Sequence, residues 1–233
     1  MSHVTIGLSE IRPEAESKVR GEGVYTMHFE VPGAAHALVL RSPHPHARIR
    51  HIDASRAERL PGVFGVLTRD DFIGNDRFTP TYGPVYHDQP VVALDKVRYV
   101  GDRVAAVAAA DIDTAEEALG LIDVEYEEIP AATDLEAALA EGAPLIHGIL
   151  EPPSQGFADL KTIRPIPGTN ICNQYRLRYG DVEGGFAESD HVFEHEFTTP
   201  TTQHVAFEPY NAVAKVERGN RVTIWSSTQN PFL

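Results

Sequence analysis

A few residues in this chain have types and spacings that could do chemistry. His44 and His46 lie two apart in Ser42-Pro43-His44-Pro45-His46, and in an extended segment both would face one way and could share a metal ion. No carboxylate or cysteine stands beside them, so the residues themselves favour packing or hydrogen-bonding roles. His204 and Glu208 are four apart, a spacing that would stack them on a helix as an acid/base or metal pair. Val205, Phe207 and Pro209 speak against a helix there, which leaves a buried, hydrogen-bonded pair as the expectation. Cys172 is the only cysteine. It has no basic neighbour to lower its pKa and is expected to be an inert, buried thiol. The glycines of Gly180-Asp181-Val182-Glu183-Gly184-Gly185 match neither the dinucleotide-binding nor the P-loop spacing, and no Ser/His/Asp set can be picked out.

Composition narrows the partners. The 233 residues carry 34 acids against 20 bases, a formal charge of -14. A phosphate backbone needs a basic face, so nucleic acid is excluded as a partner. A single cysteine allows no intrachain disulfide and no cysteine-held zinc or iron–sulfur centre. The first ten residues lack a basic, then apolar, leader pattern, and no run is long enough to span a membrane. The expectation is a soluble, cytoplasmic protein.

The elements that must position these residues are organised around 91–110. A β-branched segment near 97–100, a break at Gly101-Asp102 and a nearly unbroken apolar run over 104–107 read as two strands, the second covered on both faces. Asp113-Thr114-Ala115-Glu116 has the form of a capping box, which starts a helix at about Thr114 with Ala115, Ala118, Leu119 and Ile122 on one side. The alternating segment 124–129 then completes a strand, helix, strand unit of α/β type. Upstream, the first twenty residues are polar. Strands are expected over 24–29, 35–41 and 63–67, with short helices capped by Asp53 and beginning at Thr68. Pro43 and Pro45 make 42–49 an edge or crossing segment, and 73–89 reads as a long loop. Downstream, Thr133-Asp134-Leu135-Glu136 is a second capping box for a helix over 135–140, closed by Gly142. A segment rich in proline and glycine follows. Beyond it come alternating strands at 173–178, 192–197, 212–216 and 222–226, with Asp181 able to cap a helical turn. The last strand leads to Thr228-Gln229-Asn230-Pro231-Phe232-Leu233, and the second part reads as unfinished, as a fragment or a chain completed by a partner would.

An ordered set of segments resembles a known family. Gly21 to Tyr25, Arg41-Ser-Pro-His-Pro-His-Ala-Arg-Ile49, Asp53, Leu60-Pro-Gly-Val63, Lys96-Val-Arg-Tyr-Val-Gly-Asp102 and Val124-Glu-Tyr-Glu127 are similar to the N-terminal part of the large subunit of molybdenum hydroxylases. Those are the xanthine dehydrogenases, aldehyde oxidases and carbon monoxide dehydrogenases. Gly180-Asp-Val-Glu183, His204 with Glu208-Pro209, and Ser227-Thr-Gln229 continue the likeness in the same order.

The resemblance implies an α+β chain: an arm over 1–17, an α/β-hammerhead domain over 18–142, a linker over 143–170 and, over 171–233, the first, incomplete β-rich part of a molybdopterin-binding domain. It implies a molybdenum–molybdopterin cofactor shared with the remainder of the subunit, whose pterin dithiolene and not a protein side chain holds the metal. Iron–sulfur and FAD (flavin) groups would sit on partner subunits or domains. Gln229 is the one cofactor-binding residue carried over, placed near the molybdenum oxo group; the Gly-rich pterin segments and the family's glutamate base come later in family members. The chain alone is therefore expected to be inactive. Two other readings are a non-catalytic assembly subunit that kept the hammerhead and a small metalloprotein using His44 and His46.

Overall fold

The structure, a computed structural model, describes residues 7–83, 86–148, 163–219 and 221–229. The chain divides into two compact units. Gly33–Asp190 forms one; Met1–Pro32 and His191–Leu233 together form the other. The division is discontinuous in sequence.

In chain order the elements are α1 (Ala15–Val19), β1 (His36–Arg41), β2 (Ala47–Asp53), α2 (Ser55–Glu58), β3 (Val63–Leu67), β4 (Thr81–Tyr82), β5 (Gln89–Pro90), β6 (Lys96–Val97), β7 (Arg103–Ala109), α3 (Ile112–Leu119), β8 (Asp123–Glu128), α4 (Leu135–Leu139), α5 (Val182–Glu188), β9 (Ala212–Glu217) and β10 (Arg221–Ser226). In the larger unit β7 is the centre of a three-stranded antiparallel sheet, ordered β1-β7-β3. Val104, Ala105, Val107 and Ala109 of β7 are fully buried, and Ala115 and Ala118 of α3 meet the same core. Alanines on both sides of that contact let the helix approach the strand closely. The alternation of burial along β7 shows one well-covered face and one half-open face, where the sequence suggested two covered ones.

The predicted strand, helix, strand unit is corrected by topology. β7 lies in one sheet and β8 in another, ordered β6-β2-β8, so α3 links two antiparallel sheets and closes no parallel pair. The segment from Ser42 to His46 crosses from β1 in the first sheet to β2 in the second. The prolines stand in that crossing, as predicted, but Ala47 to Asp53 becomes a central strand, not an edge.

Asp102 fixes the entry to β7. Its carboxylate accepts the backbone N–H groups of Arg98 at 3.0 Å and Arg103 at 2.9 Å while only 2% exposed. Gly101 turns the chain there at φ +94°, a conformation that L side chains rarely adopt. Ser42 closes the corner, donating its N–H to the Asp102 carbonyl and accepting that of Gly101, both at 2.8 Å.

Arg69 supports the other sheet. A 3₁₀ turn over Arg69–Asp71, boxed by Thr68 and Asp71, aims its guanidinium at the carbonyls of Ile49 (2.7 Å), Arg50 (3.1 Å) and Leu94 (3.3 Å). These bonds fall where the β2–β8 register shifts between Ile49 and His51, so the side chain takes up carbonyls at a bulge.

Two caps differ from expectation. Asp111, not Asp113, accepts the Thr114 N–H at 2.8 Å, and Asp134, not Thr133, accepts that of Ala137 at 2.7 Å. Both are extended at φ -147° and -139°, the backbone a cap requires. The hydrogen bonds from Thr114 hold the Asp111 carboxyl below the ordinary aspartate range. Asp181 caps α5 as predicted, accepting the Gly184 N–H at 3.1 Å.

The smaller unit carries the β9–β10 hairpin, paired from Ala212↔Ser226 to Glu217↔Arg221. The expected strand over 24–29 is instead a 3₁₀ turn, Thr26–His28. Segments 173–178 and 192–197 are exposed and make no ladder among the described residues. Their alternation is strand-like, but a strand exists only where a neighbour takes its hydrogen bonds.

Candidate functional site

The hairpin of the smaller unit continues one step past its last paired residues. Ser227 N–H donates to Asn211 O at 3.1 Å, and Asn211 N–H donates to the Ser227 hydroxyl at 2.9 Å. These two bonds fix the exit of β10, two residues before Gln229. Gln229 is exposed and lines a hollow of about 370 Å³ within this unit, together with Tyr25, Thr26, Glu208, Tyr210 and Thr228.

The opposite wall is the Thr26–His28 turn. Its first two N–H groups have no partner inside the turn, and side chains satisfy both. Tyr25 N–H donates to His28 Nδ1 at 3.3 Å, and Thr26 N–H donates to Glu208 Oε1 at 3.0 Å. Phe29 then packs against Trp225 of β10, ring centroids 5.8 Å apart. Glu208 is the only charged side chain among the described lining residues. The remaining polar groups are an amide and hydroxyls, suited to hydrogen-bonding a polar ligand without binding a metal directly.

His204 and Glu208 do not form the expected buried pair. His204 is exposed, and Val205 between them stands at φ +45°, so the segment is not helical and the stacking of residues four apart is lost. Glu208 is half-buried and spends its carboxylate on Thr26, a partner that residue spacing could not reveal.

His44 and His46 are each engaged by other residues. His46 is 3% exposed; its Nδ1 donates to the Pro130 carbonyl at 2.6 Å, which leaves Nε2 to accept from Lys96 Nζ at 3.0 Å. Lys96 also donates to Leu145 O at 3.0 Å, and burial holds its ammonium below the usual lysine range. His44 lies against the Tyr126 ring, 4.8 Å between centroids, and 3.4 Å from Glu128 Oε1. The packing roles expected for both are the ones observed. Replacing both by Gln is expected to leave the metal content of the protein unchanged, as measured by plasma mass spectrometry. Loss of metal with a native circular dichroism spectrum would contradict this.

The larger unit has its own hollow, about 440 Å³, lined by Asp88, Ile146, His147, Asn170 and Cys172. Cys172 is exposed, correcting the expected buried thiol, because the segment carrying it runs over the surface; its carbonyl accepts from the Tyr86 hydroxyl. Asn170 clasps the segment by accepting Ile146 N–H at 3.0 Å and donating to Ala138 O and Pro144 O, both at 3.1 Å.

No motif marks His147 in the sequence, although the apolar Leu145 and Ile146 precede it. Burial, then the Arg98 charge, pushes its pKa below the ordinary 6.5, although its Nε2 lies 3.9 Å from Asp88 Oδ2. The folded state therefore prefers the neutral ring. As pH falls below 6.5 the unfolded chain takes up a proton that the folded chain resists, so stability drops from there down to the depressed folded value. The urea midpoint is expected to fall more between about pH 7 and about pH 5 in the parent protein than in His147→Phe. Equal slopes would contradict this.

Comparison with known proteins places these features. The α/β hammerhead domain of aldehyde oxidase and xanthine dehydrogenase matches residues 20–130, and the molybdopterin cofactor-binding domain matches 164–233. The chain is 37% identical over 224 residues to a probable xanthine dehydrogenase subunit of Bacillus subtilis, covering 96% of this chain and 27% of that one. It is 34% identical to the large molybdopterin subunit of nicotinate dehydrogenase from Eubacterium barkeri, covering 97% and 48%. The structure of quinoline 2-oxidoreductase from Pseudomonas putida 86 superposes with a TM-score of 0.75 at 31% identity, over 96% of this chain and 27% of that one. The chain thus spans about a quarter to a half of the length of the relatives it matches.

Proposed function

Because the chain belongs to the molybdenum hydroxylase family of aldehyde oxidases and xanthine dehydrogenases, we propose that it is the N-terminal portion, or a split subunit, of a molybdopterin-dependent oxidoreductase. The substrate would be an aldehyde, a purine, another N-heterocycle or a related small molecule. Electrons would pass to iron–sulfur and flavin (FAD) partners, and the remainder of the molybdenum subunit would complete the pocket. We place the assembly in the cytoplasm.

The observation that carries this reading is Gln229, which lines a polar hollow at a fixed strand exit. Its amide N–H groups can donate to the metal end of the cofactor. The hydroxyl of Tyr25 and the polar edge formed by Ser227 and Thr228 would orient the rest of the ligand. The donor set fits a cofactor whose metal is held by its own pterin. Among the described residues no group of three or more His, Cys, Asp or Glu side chains could hold a metal ion, and the hollow offers amide and hydroxyl groups instead. When bound, the cofactor supplies two-electron oxidation with oxygen drawn from water. The protein's part is placement and polarisation.

The experiment is a dye-reduction assay on this chain joined with the segment that completes the family's molybdenum subunit. Aldehydes, xanthine, N-heterocycles and carbon monoxide would be tried in turn. Substrate-dependent reduction that disappears when the cells are grown on tungstate in place of molybdate is the expected result. Reduction undiminished on tungstate would overturn the proposal.

A further inference from the structure

We propose that Glu208 is a positioning residue for the Gln229 hollow, acting through the backbone N–H of Thr26. The proposal rests on the reading of Gln229 given above. The two walls of the hollow come from segments 182 residues apart, and the wall opposite the fixed exit of β10 is not a regular element that would hold itself in place. On one side the Thr26–His28 turn is a single 3₁₀ turn, whose first N–H groups need outside acceptors. Glu208 supplies one of them across the hollow, at 3.0 Å, to a residue that is only 8% exposed.

On the other side Glu208 is itself anchored to the segment that carries Gln229. It precedes Pro209, Tyr210 and Asn211, and Asn211 exchanges backbone and hydroxyl hydrogen bonds with Ser227. A continuous set of contacts therefore runs from Thr26 through Glu208 and Asn211 to Ser227, two residues from Gln229. Phe29 against Trp225 is the second, apolar fastening of the same wall to the same strand. Removing the carboxylate leaves that fastening in place, so the walls stay associated but lose their fixed register. A glutamine at 208 keeps an acceptor oxygen of the same reach and preserves the contact without the charge.

The test has two parts. In the isolated 233-residue chain, hydrogen exchange followed by mass spectrometry should show residues 24–29 losing protection in Glu208→Ala and keeping it in Glu208→Gln. In the molybdenum-loaded complex, Glu208→Ala should lower kcat about ten- to a hundredfold with molybdenum content unchanged, and Glu208→Gln should restore most of it. In a Gln229→Ala background the Glu208→Ala loss should shrink, because both changes disturb one placement. If Gln229→Ala alone has no effect on kcat, the functional reading fails and the positioning role with it. If Gln229→Ala slows turnover but the two losses multiply independently, or Glu208→Ala leaves protection and kcat unaltered, only the positioning role is overturned.

Discussion

Replacing Gln229 by alanine in the molybdenum-loaded complex is expected to lower kcat by about 10²- to 10³-fold while KM and molybdenum content stay near their parent values. The size follows from the role. One preorganised amide donor aimed at a site of developing charge in a water-poor pocket is worth far more than the same hydrogen bond in water. Gln229 makes no contact that the fold depends on: it is exposed, and the strand exit is held by Ser227 and Asn211. The loss should therefore appear in the reductive half-reaction, measured by stopped flow, and not in stability. A Gln229→Ala enzyme that turns over at the parent rate would remove this residue from the site.

The second large effect concerns the fold that the hammerhead supplies. Asp102→Ala is expected to destabilise the chain by about 2 kcal/mol, because it strips the acceptor from two part-buried backbone N–H groups at once. Those N–H groups belong to Arg98 and Arg103, on either side of the turn into β7, and the carboxylate that serves them is 2% exposed. Asp102→Asn should cost less, since its amide oxygen still satisfies one of them. Urea unfolding of the isolated chain gives both numbers; a midpoint unmoved by the alanine change would show that the turn is held by Gly101 and Ser42 without the carboxylate.

The elements decided by local chemistry were legible in the sequence. The apolar run of β7, the buried face of α3 with Ala115 and Ala118, the strands β9 and β10 and the Asp181 cap all follow from periodicity or from one side chain meeting a backbone group three residues on. What failed depended on distant partners. The alternation of 24–29 is that of a strand, yet Glu208, far along the chain, takes the Thr26 N–H and leaves a 3₁₀ turn. Segments 173–178 and 192–197 alternate equally well, but without a neighbour in a ladder they remain irregular. The α3 and α4 caps were missed because each helix start offers two polar residues close together, and the one that caps is the residue immediately before the first helical turn, at Ile112 and at Leu135. The strand, helix, strand pattern was read correctly as elements and wrongly as a unit, since periodicity carries no information on which sheet a strand joins.

The candidate site was legible only in part. Nothing in the type or spacing of Gln229 marks it; it entered through an ordered likeness to a family, and the structure adds the hollow and the fixed strand exit around it. Conversely His44 and His46, whose types most suggested chemistry, are engaged in packing, and His204 is exposed and not among the residues lining the hollow.

The most direct test of the account is the molybdenum content of two purified samples: the 233-residue chain expressed alone, and the same chain co-expressed with the segment that completes the family's molybdenum subunit. The expected result is no stoichiometric molybdenum in the first and close to one equivalent in the second, since in the proposed reading the remaining segment completes the pocket. Stoichiometric molybdenum in the chain alone, or none in the completed complex, would contradict it.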